Sequence, residues 1–160
     1  MITYLEWKNE NLPKESFNTN KGCGIVSMMK NPKNIDTWLQ KHRDLGIKHF
    51  YIRLEQTPDV EEYLGNQHDV TLQIGKSKGV NEYEEIQERQ NIWVNEALRK
   101  AENDNDVNWL FHIDADEILK GDLNKVQELP DSVRTFWFQN EEAKFDKVPQ
   151  KTDSCFSAST

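Results

Sequence analysis

Only two cysteines occur in the sequence, Cys23 and Cys155, too few for a disulfide framework. Cys23 begins an apolar run and reads as a buried free thiol, which fits a reducing, cytoplasmic setting. No stretch approaches the roughly 20 consecutive apolar residues of a membrane-spanning helix. The opening run Met1-Ile2-Thr3-Tyr4-Leu5-Glu6-Trp7-Lys8 lacks the apolar core of a secretory signal, so a soluble protein is expected. Positive charge is in short supply: 20 Lys and Arg stand against 28 Asp and Glu, a formal net charge of −8. That sign argues against a partner held by neutralising phosphates, so nucleic acid is not expected. A phosphate ligand held through a metal ion stays compatible with it. Internal repeats and long low-complexity tracts are also missing.

What is present suits one domain over residues 1–160, with a modest core around a single layered sheet. Residues 6–21 are polar and read as an irregular or loosely helical lead-in. Gly22 to Met29 reads as a first buried strand, broken by Lys30-Asn31-Pro32. Ile35, Trp38, Leu39, His42 and Leu45 then recur at helical spacing, and Gly46 is a helix terminator. Lys48 to Leu54 predicts a second strand, and Thr57-Pro58 predicts the cap and first position of a short helix running to Leu64. Val70, Leu72 and Ile74 alternate with polar residues, as in a third, less buried strand. After a Lys- and Gly-bearing loop from Gly75 to Gly79, the longest helix is expected over roughly 82–102. Its inner stripe is Ile86, Gln90, Trp93, Val94, Ala97, Leu98 and Ala101. A turn at Asn103 to Asp106 leads to a fourth strand ending at Asp114. Leu123, Val126 and Leu129 predict a short helix, Val133 to Phe138 a fifth strand, and residues 139–160 show no clear period. This β-α-β-α-β-α-β-α-β order implies a mostly parallel or mixed sheet covered on both faces.

The most informative stretch is Trp109-Leu110-Phe111-His112-Ile113-Asp114-Ala115-Asp116-Glu117. A buried strand ends abruptly in three carboxylates, which are costly to bury unpaired. In an extended segment Asp114 and Asp116 face one side while Ala115 points away. Two hard oxygen ligands at a strand end suit Mg²⁺ or Mn²⁺. In parallel sheets ligands bind beyond the carboxyl ends of the strands, and Lys30-Asn31 and Glu55 also stand at such ends. The bland reading of the acidic run is a surface turn. An EF-hand is excluded, because Leu119 occupies the position that needs glycine. Glu117 reads two ways, as part of the acidic cluster or as pointing away and paired with a base such as Lys120. His112 and His42 read as interior histidines, and His49 and His68 as exposed. Trp38, Trp93 and Trp137 read as core. The Gly75–Gly79 loop lacks the P-loop pattern and reads as solvated.

In order along the chain, Val26-Ser27-Met28-Met29-Lys30-Asn31, then Trp38, His42 and Gly46, then Phe50-Tyr51-Ile52, then a helix containing Gln90, then Trp109 to Leu119 resemble small nucleotide-sugar glycosyltransferases. These have the GT-A fold, relate to glycosyltransferase families 2 and 92, and include small virus-encoded domains. The resemblance runs over residues 22–120, and its strength is the D-x-D motif in context. It implies a Rossmann-like three-layer α/β/α domain with a mostly parallel mixed sheet. It implies transfer of a sugar from a nucleotide diphosphate donor, a UDP-sugar, to a hydroxyl of a glycan or other acceptor. A Mn²⁺ or Mg²⁺ ion would bridge D-x-D to the two phosphates. Carried over by position, Asp116 is a direct metal ligand, and Asp114 binds the metal through water or holds the ribose or sugar. Lys30, Asn31 and Glu55 line the nucleoside pocket, and Gln90 or Arg89 reaches the donor.

Two departures bear on this expectation. Pro32 stands where the family has a Glu, and the sequence ends at Thr160, whereas GT-A enzymes generally run longer. A trimmed domain or an incomplete site is therefore expected. An inverting transferase needs a carboxylate to take the acceptor proton. Glu141, carried with Asp116 as catalytic, shares that candidacy with Glu142 and Asp146. Two other readings compete. A HAD-type phosphatase also sets D-x-D at a strand end, although its motif normally lies on the first strand. A non-catalytic module binding a metal or a nucleotide sugar is the other.

Overall fold

A computed structural model describes residues 22–76, 82–103, 107–129, 133, 135–136, 139–142 and 156–159. The described chain runs β1 (Gly22–Lys30), α1 (Ile35–Leu45), β2 (Ile47–Glu55), α2 (Pro58–Gly65) and β3 (Val70–Gly75). It continues through α3 (Glu82–Asn103), β4 (Val107–His112), β5 (Glu117–Leu119), α4 (Leu123–Gln127), β6 (Gln139–Glu142) and β7 (Phe156–Ser159). The main sheet has the order β3-β2-β1-β4, and every pairing in it is parallel. The mixed character expected of one sheet belongs instead to a small second sheet, β5-β7-β6, parallel between β5 and β7 and antiparallel between β6 and β7.

β1 carries the centre of the core. Its side chains alternate between faces: Cys23, Ile25 and Met29 join one apolar cluster, Val26 and Met28 the other. The first cluster takes Ile35, Trp38 and Leu39 of α1, Leu64 of α2, and Leu123 and Val126 of α4. The second takes Trp93, Val94, Ala97 and Ala101 of α3. Helices therefore cover both faces, the three-layer arrangement expected of alternating β and α elements. Trp93 is fully buried and donates its indole N–H to the Ser27 carbonyl at 3.1 Å. Burying a large apolar side chain contributes about 1.5–3 kcal/mol, so this stripe anchors α3 to the sheet.

α1 ends where Gly46, at φ 109°, takes the left-handed conformation and returns its N–H to Arg43. Arg43 then holds Asp69, just before β3, through two bonds of 2.8 and 2.6 Å. Thr57 precedes α2 but makes no side-chain cap; its hydroxyl is used elsewhere, as described below. Cys23 is a buried free thiol that accepts from Gln127 Nε2 at 3.2 Å, and burial raises its pKa. Among the described residues no helix is long and apolar enough to cross a membrane.

Three expectations need correction. Val133, Thr135 and Phe136 lie outside any strand, so the fifth strand over Val133–Phe138 does not form at these positions. Phe136 instead packs edge-on against Trp109 and Phe111, with ring centroids at 4.9 and 5.8 Å. β5 begins inside the acidic run, at Glu117, where no strand is expected, and β6 and β7 fall in the segment that shows no period. The expected lead-in over 6–21, most of the Gly75–Gly79 loop, Trp137 and Asp146 lie outside the described residues.

Candidate functional site

The topology marks one edge of the sheet. β1, β2 and β3 step outward in one direction, and α3 then returns the chain to set β4 on the other side of β1. The strand order thus reverses between β1 and β4, and in open α/β sheets the crevice beyond the carboxyl ends at that reversal is the usual ligand position. His112, the last residue of β4, pairs with Val26, so β1 runs four residues further, to Lys30. Ile113 continues the alignment by donating to the Val26 carbonyl at 3.3 Å.

Asp114 to Glu117 then forms a turn. The Glu117 N–H donates to the Asp114 carbonyl at 3.1 Å, and the Asp114 N–H donates to the Glu117 carboxylate at 2.9 Å. The backbone here reverses, so the alternation of an extended strand does not align Asp114 with Asp116. One tight turn carries both, each exposed. Glu117 braces the turn through its carboxylate. Burial raises its pKa against the lowering effect of the Asp114 N–H.

The other expected residues divide. Gln90, on α3, reaches Asp114 with Nε2 to Oδ1 at 3.5 Å, so those two are brought together. Lys30 is exposed at the end of β1, in register with Glu55. Asn31 adopts φ 49° and donates its N–H to the Thr57 hydroxyl at 2.8 Å, and Thr57 in turn donates to the Glu55 carbonyl at 2.9 Å. The ends of β1 and β2 are stitched by this bridge. Asn31, Asn34 and Gln56, the non-glycine residues with positive φ among those described, all lie in the loops leaving β1 and β2. Such backbone outliers gather at functional edges.

Glu55 is turned to a different task from lining a pocket. It is 2 % exposed, and Arg89 of α3 grips both its oxygens, Nε at 2.9 Å and Nη2 at 3.1 Å. Arg53 adds a third bond at 3.2 Å. Sequence reasoning missed Arg53, although its place two residues before Glu55 on β2 puts both on one face. Its guanidinium lies over Gly75, where a Cβ would come within 2.6 Å of Nε and 2.8 Å of Cζ. Gly75→Ala is therefore expected to destabilise the protein by about 1–2 kcal/mol. In an Arg53→Ala background that cost should disappear in urea unfolding; an equal cost in both backgrounds would refute the crowding.

Behind the turn, α1 reaches β5. Trp38 donates its indole N–H to the Glu117 carbonyl at 2.8 Å. His42 is fully buried, with Nδ1 at 2.8 Å from the Trp38 carbonyl and Nε2 accepting the Leu119 N–H at 3.0 Å. These partners make His42 a neutral Nδ1–H tautomer. Burial, opposed by the bond to the Trp38 carbonyl, lowers its pKa from 6.5 to about 4. The unfolded chain thus binds that proton more readily than the folded one. Stability from His42 is complete above about pH 6.5 and is lost as pH falls through the window from 6.5 to 4, a loss of about 3 kcal/mol. Urea unfolding of wild type and His42→Phe across this window should show their difference shrinking as pH falls; parallel curves would contradict it. His112 is half-buried, and burial lowers its pKa against the charge of Asp114.

Glu141 lies in β6, opposite Ser157 of β7, which in turn pairs with Ile118 of β5. Its backbone is thus two strands from the acidic turn's exit, about 10 Å away.

Among the described residues no group of three or more His, Cys, Asp or Glu side chains is gathered to hold a metal ion. Asp114 and Asp116 offer exposed carboxylate oxygens only. That donor set fits Mg²⁺ or Mn²⁺ bound by one or two carboxylates, with water and substrate phosphates completing the shell. Compared with protein-family models, curated proteins and solved structures, the chain matches none of them.

Proposed function

We propose that this protein is a metal-dependent glycosyltransferase of GT-A type. On this reading it moves a sugar from a nucleotide diphosphate donor, a UDP-sugar, to a hydroxyl acceptor. The observation that carries the reading is a turn bearing exposed Asp114 and Asp116 that leaves β4 at the point where the strand order of an all-parallel sheet reverses. A Mn²⁺ or Mg²⁺ ion, when bound, supplies charge neutralisation on the leaving diphosphate. Asp116 and Asp114 hold that ion, and Gln90 orients Asp114. Lys30 and Asn31, at the end of β1, face the nucleoside. Glu55 contributes by fixing α3 to β2 rather than by touching the donor. Glu141 is the acceptor base in this reading, because β6 joins the same small sheet as β5.

Turnover decides it. The full chain, incubated with UDP-glucose and related UDP-sugars, is expected to release UDP with Mn²⁺ and not with EDTA. Binding of UDP without any turnover would favour the non-catalytic module. Phosphate release from p-nitrophenyl phosphate without UDP binding would favour the phosphatase.

A further inference from the structure

We infer that Trp38 and His42 are positioning residues for the acidic turn. The inference rests on the reading of Asp114 and Asp116 as the ion-binding pair. Both hydrogen bonds that close the turn pass through Glu117: its N–H to the Asp114 carbonyl and its carboxylate to the Asp114 N–H. Where Glu117 sits therefore decides where the two aspartates sit. The carbonyl of Glu117 is held by Trp38 at 2.8 Å, and the N–H of Leu119 by His42 at 3.0 Å.

The geometry suits the task. The carbonyl of one strand residue and the N–H of the residue two further on turn to the same edge, separated by less than the two-residue rise of about 6.6 Å. Residues four apart on a helix lie on one face, about 6 Å apart along the axis. Trp38 and His42 thus meet Glu117 and Leu119 in register, while the other edge of β5 pairs with β7. The two rings are themselves rooted: their centroids lie 4.4 Å apart, Trp38 packs on Phe50 at 5.8 Å, and His42 Nδ1 meets the Trp38 carbonyl. Apolar side chains could fill this space, but they offer neither the indole donor nor the imidazole acceptor. The carbonyl and the N–H they would leave behind lack those partners.

The test uses the full chain and three variants. Trp38→Phe removes the bond to the Glu117 carbonyl, and His42→Phe removes those to the Leu119 N–H and the Trp38 carbonyl, whereas His42→Gln returns an acceptor within reach of the Leu119 N–H. Calorimetry with UDP is run with Mn²⁺ and with EDTA, and amide exchange is followed across the chain. Trp38→Phe and His42→Phe should lower Mn²⁺-dependent UDP affinity about tenfold and leave the metal-free affinity unchanged. Exchange should quicken at Asp114, Glu117 and Leu119 but not in β1 or β2, and His42→Gln should recover most of the affinity. Variants that bind as wild type does, or that lose affinity equally with and without Mn²⁺, overturn the inference alone. A wild-type chain with no Mn²⁺-dependent binding overturns the transferase reading and this inference with it.

Discussion

Asp116→Ala is expected to abolish the Mn²⁺-dependent part of UDP binding while leaving the fold intact. Asp116 is exposed at the tip of the turn, and the bonds that close the turn belong to Asp114 and Glu117. Among the described residues its removal leaves no unpaired partner, so stability should change by no more than about 0.5 kcal/mol. On the proposed function the ion would lose one of two carboxylates, and the one remaining would not hold it against water. A loss of affinity of about 100-fold or more is expected. Calorimetric titration of UDP in Mn²⁺ measures it, with Asp36→Ala, an exposed acid on α1, as the control for net charge. Unchanged affinity would remove the D-x-D turn from any account of this protein's chemistry.

The second large effect is on stability. Arg89→Ala should cost about 3–5 kcal/mol, because it strands a buried carboxylate. Glu55 has 2 % exposure, and two of its three side-chain bonds come from Arg89. Arg53 alone, at 3.2 Å, cannot replace a bidentate grip. Replacing both members, Glu55→Leu with Arg89→Leu, should recover most of the loss, since a buried pair exchanged for apolar groups is often neutral. Urea unfolding of the two single variants and the double variant gives the coupling energy directly. A cost below about 1 kcal/mol for Arg89→Ala would mean that α3 is held by its apolar stripe alone. The ion pair also matters to the site, because Gln90, which meets Asp114, follows Arg89 on the same helix.

Periodicity made β1 to β4 and α1 to α3 legible, because each buries a stripe or face long enough to repeat. β5 has three residues and starts inside the acidic run, too short for any period to show. β6 and β7 are stabilised by pairing with each other and with β5, and such distant partners leave no local pattern. The aromatic run at Phe136 imitated a strand, but Phe136 packs edge-on between Trp109 and Phe111. The composition of the site was legible and its conformation was not. Glu117 caps the Asp114 amide, and that single bond turns an assumed extension into a reversal. Trp38 and His42 were readable as core from their spacing. Their ring nitrogens, which need partners once buried, were the available hint of a second role.

The all-parallel register also sets an order of assembly. Ile25 meets Phe50 across β1 and β2, 25 residues away, but meets Phe111 of β4 from 86 residues away. Closing the longer loop costs about 1 kcal/mol more chain entropy, and contacts so distant in sequence slow folding. β4 is therefore expected to dock last, against a β1–β2–β3 template that is already paired. The strand that delivers the two aspartates is then expected to be the final piece of the sheet, so on the proposed function half-folded chains should carry no affinity for the ion.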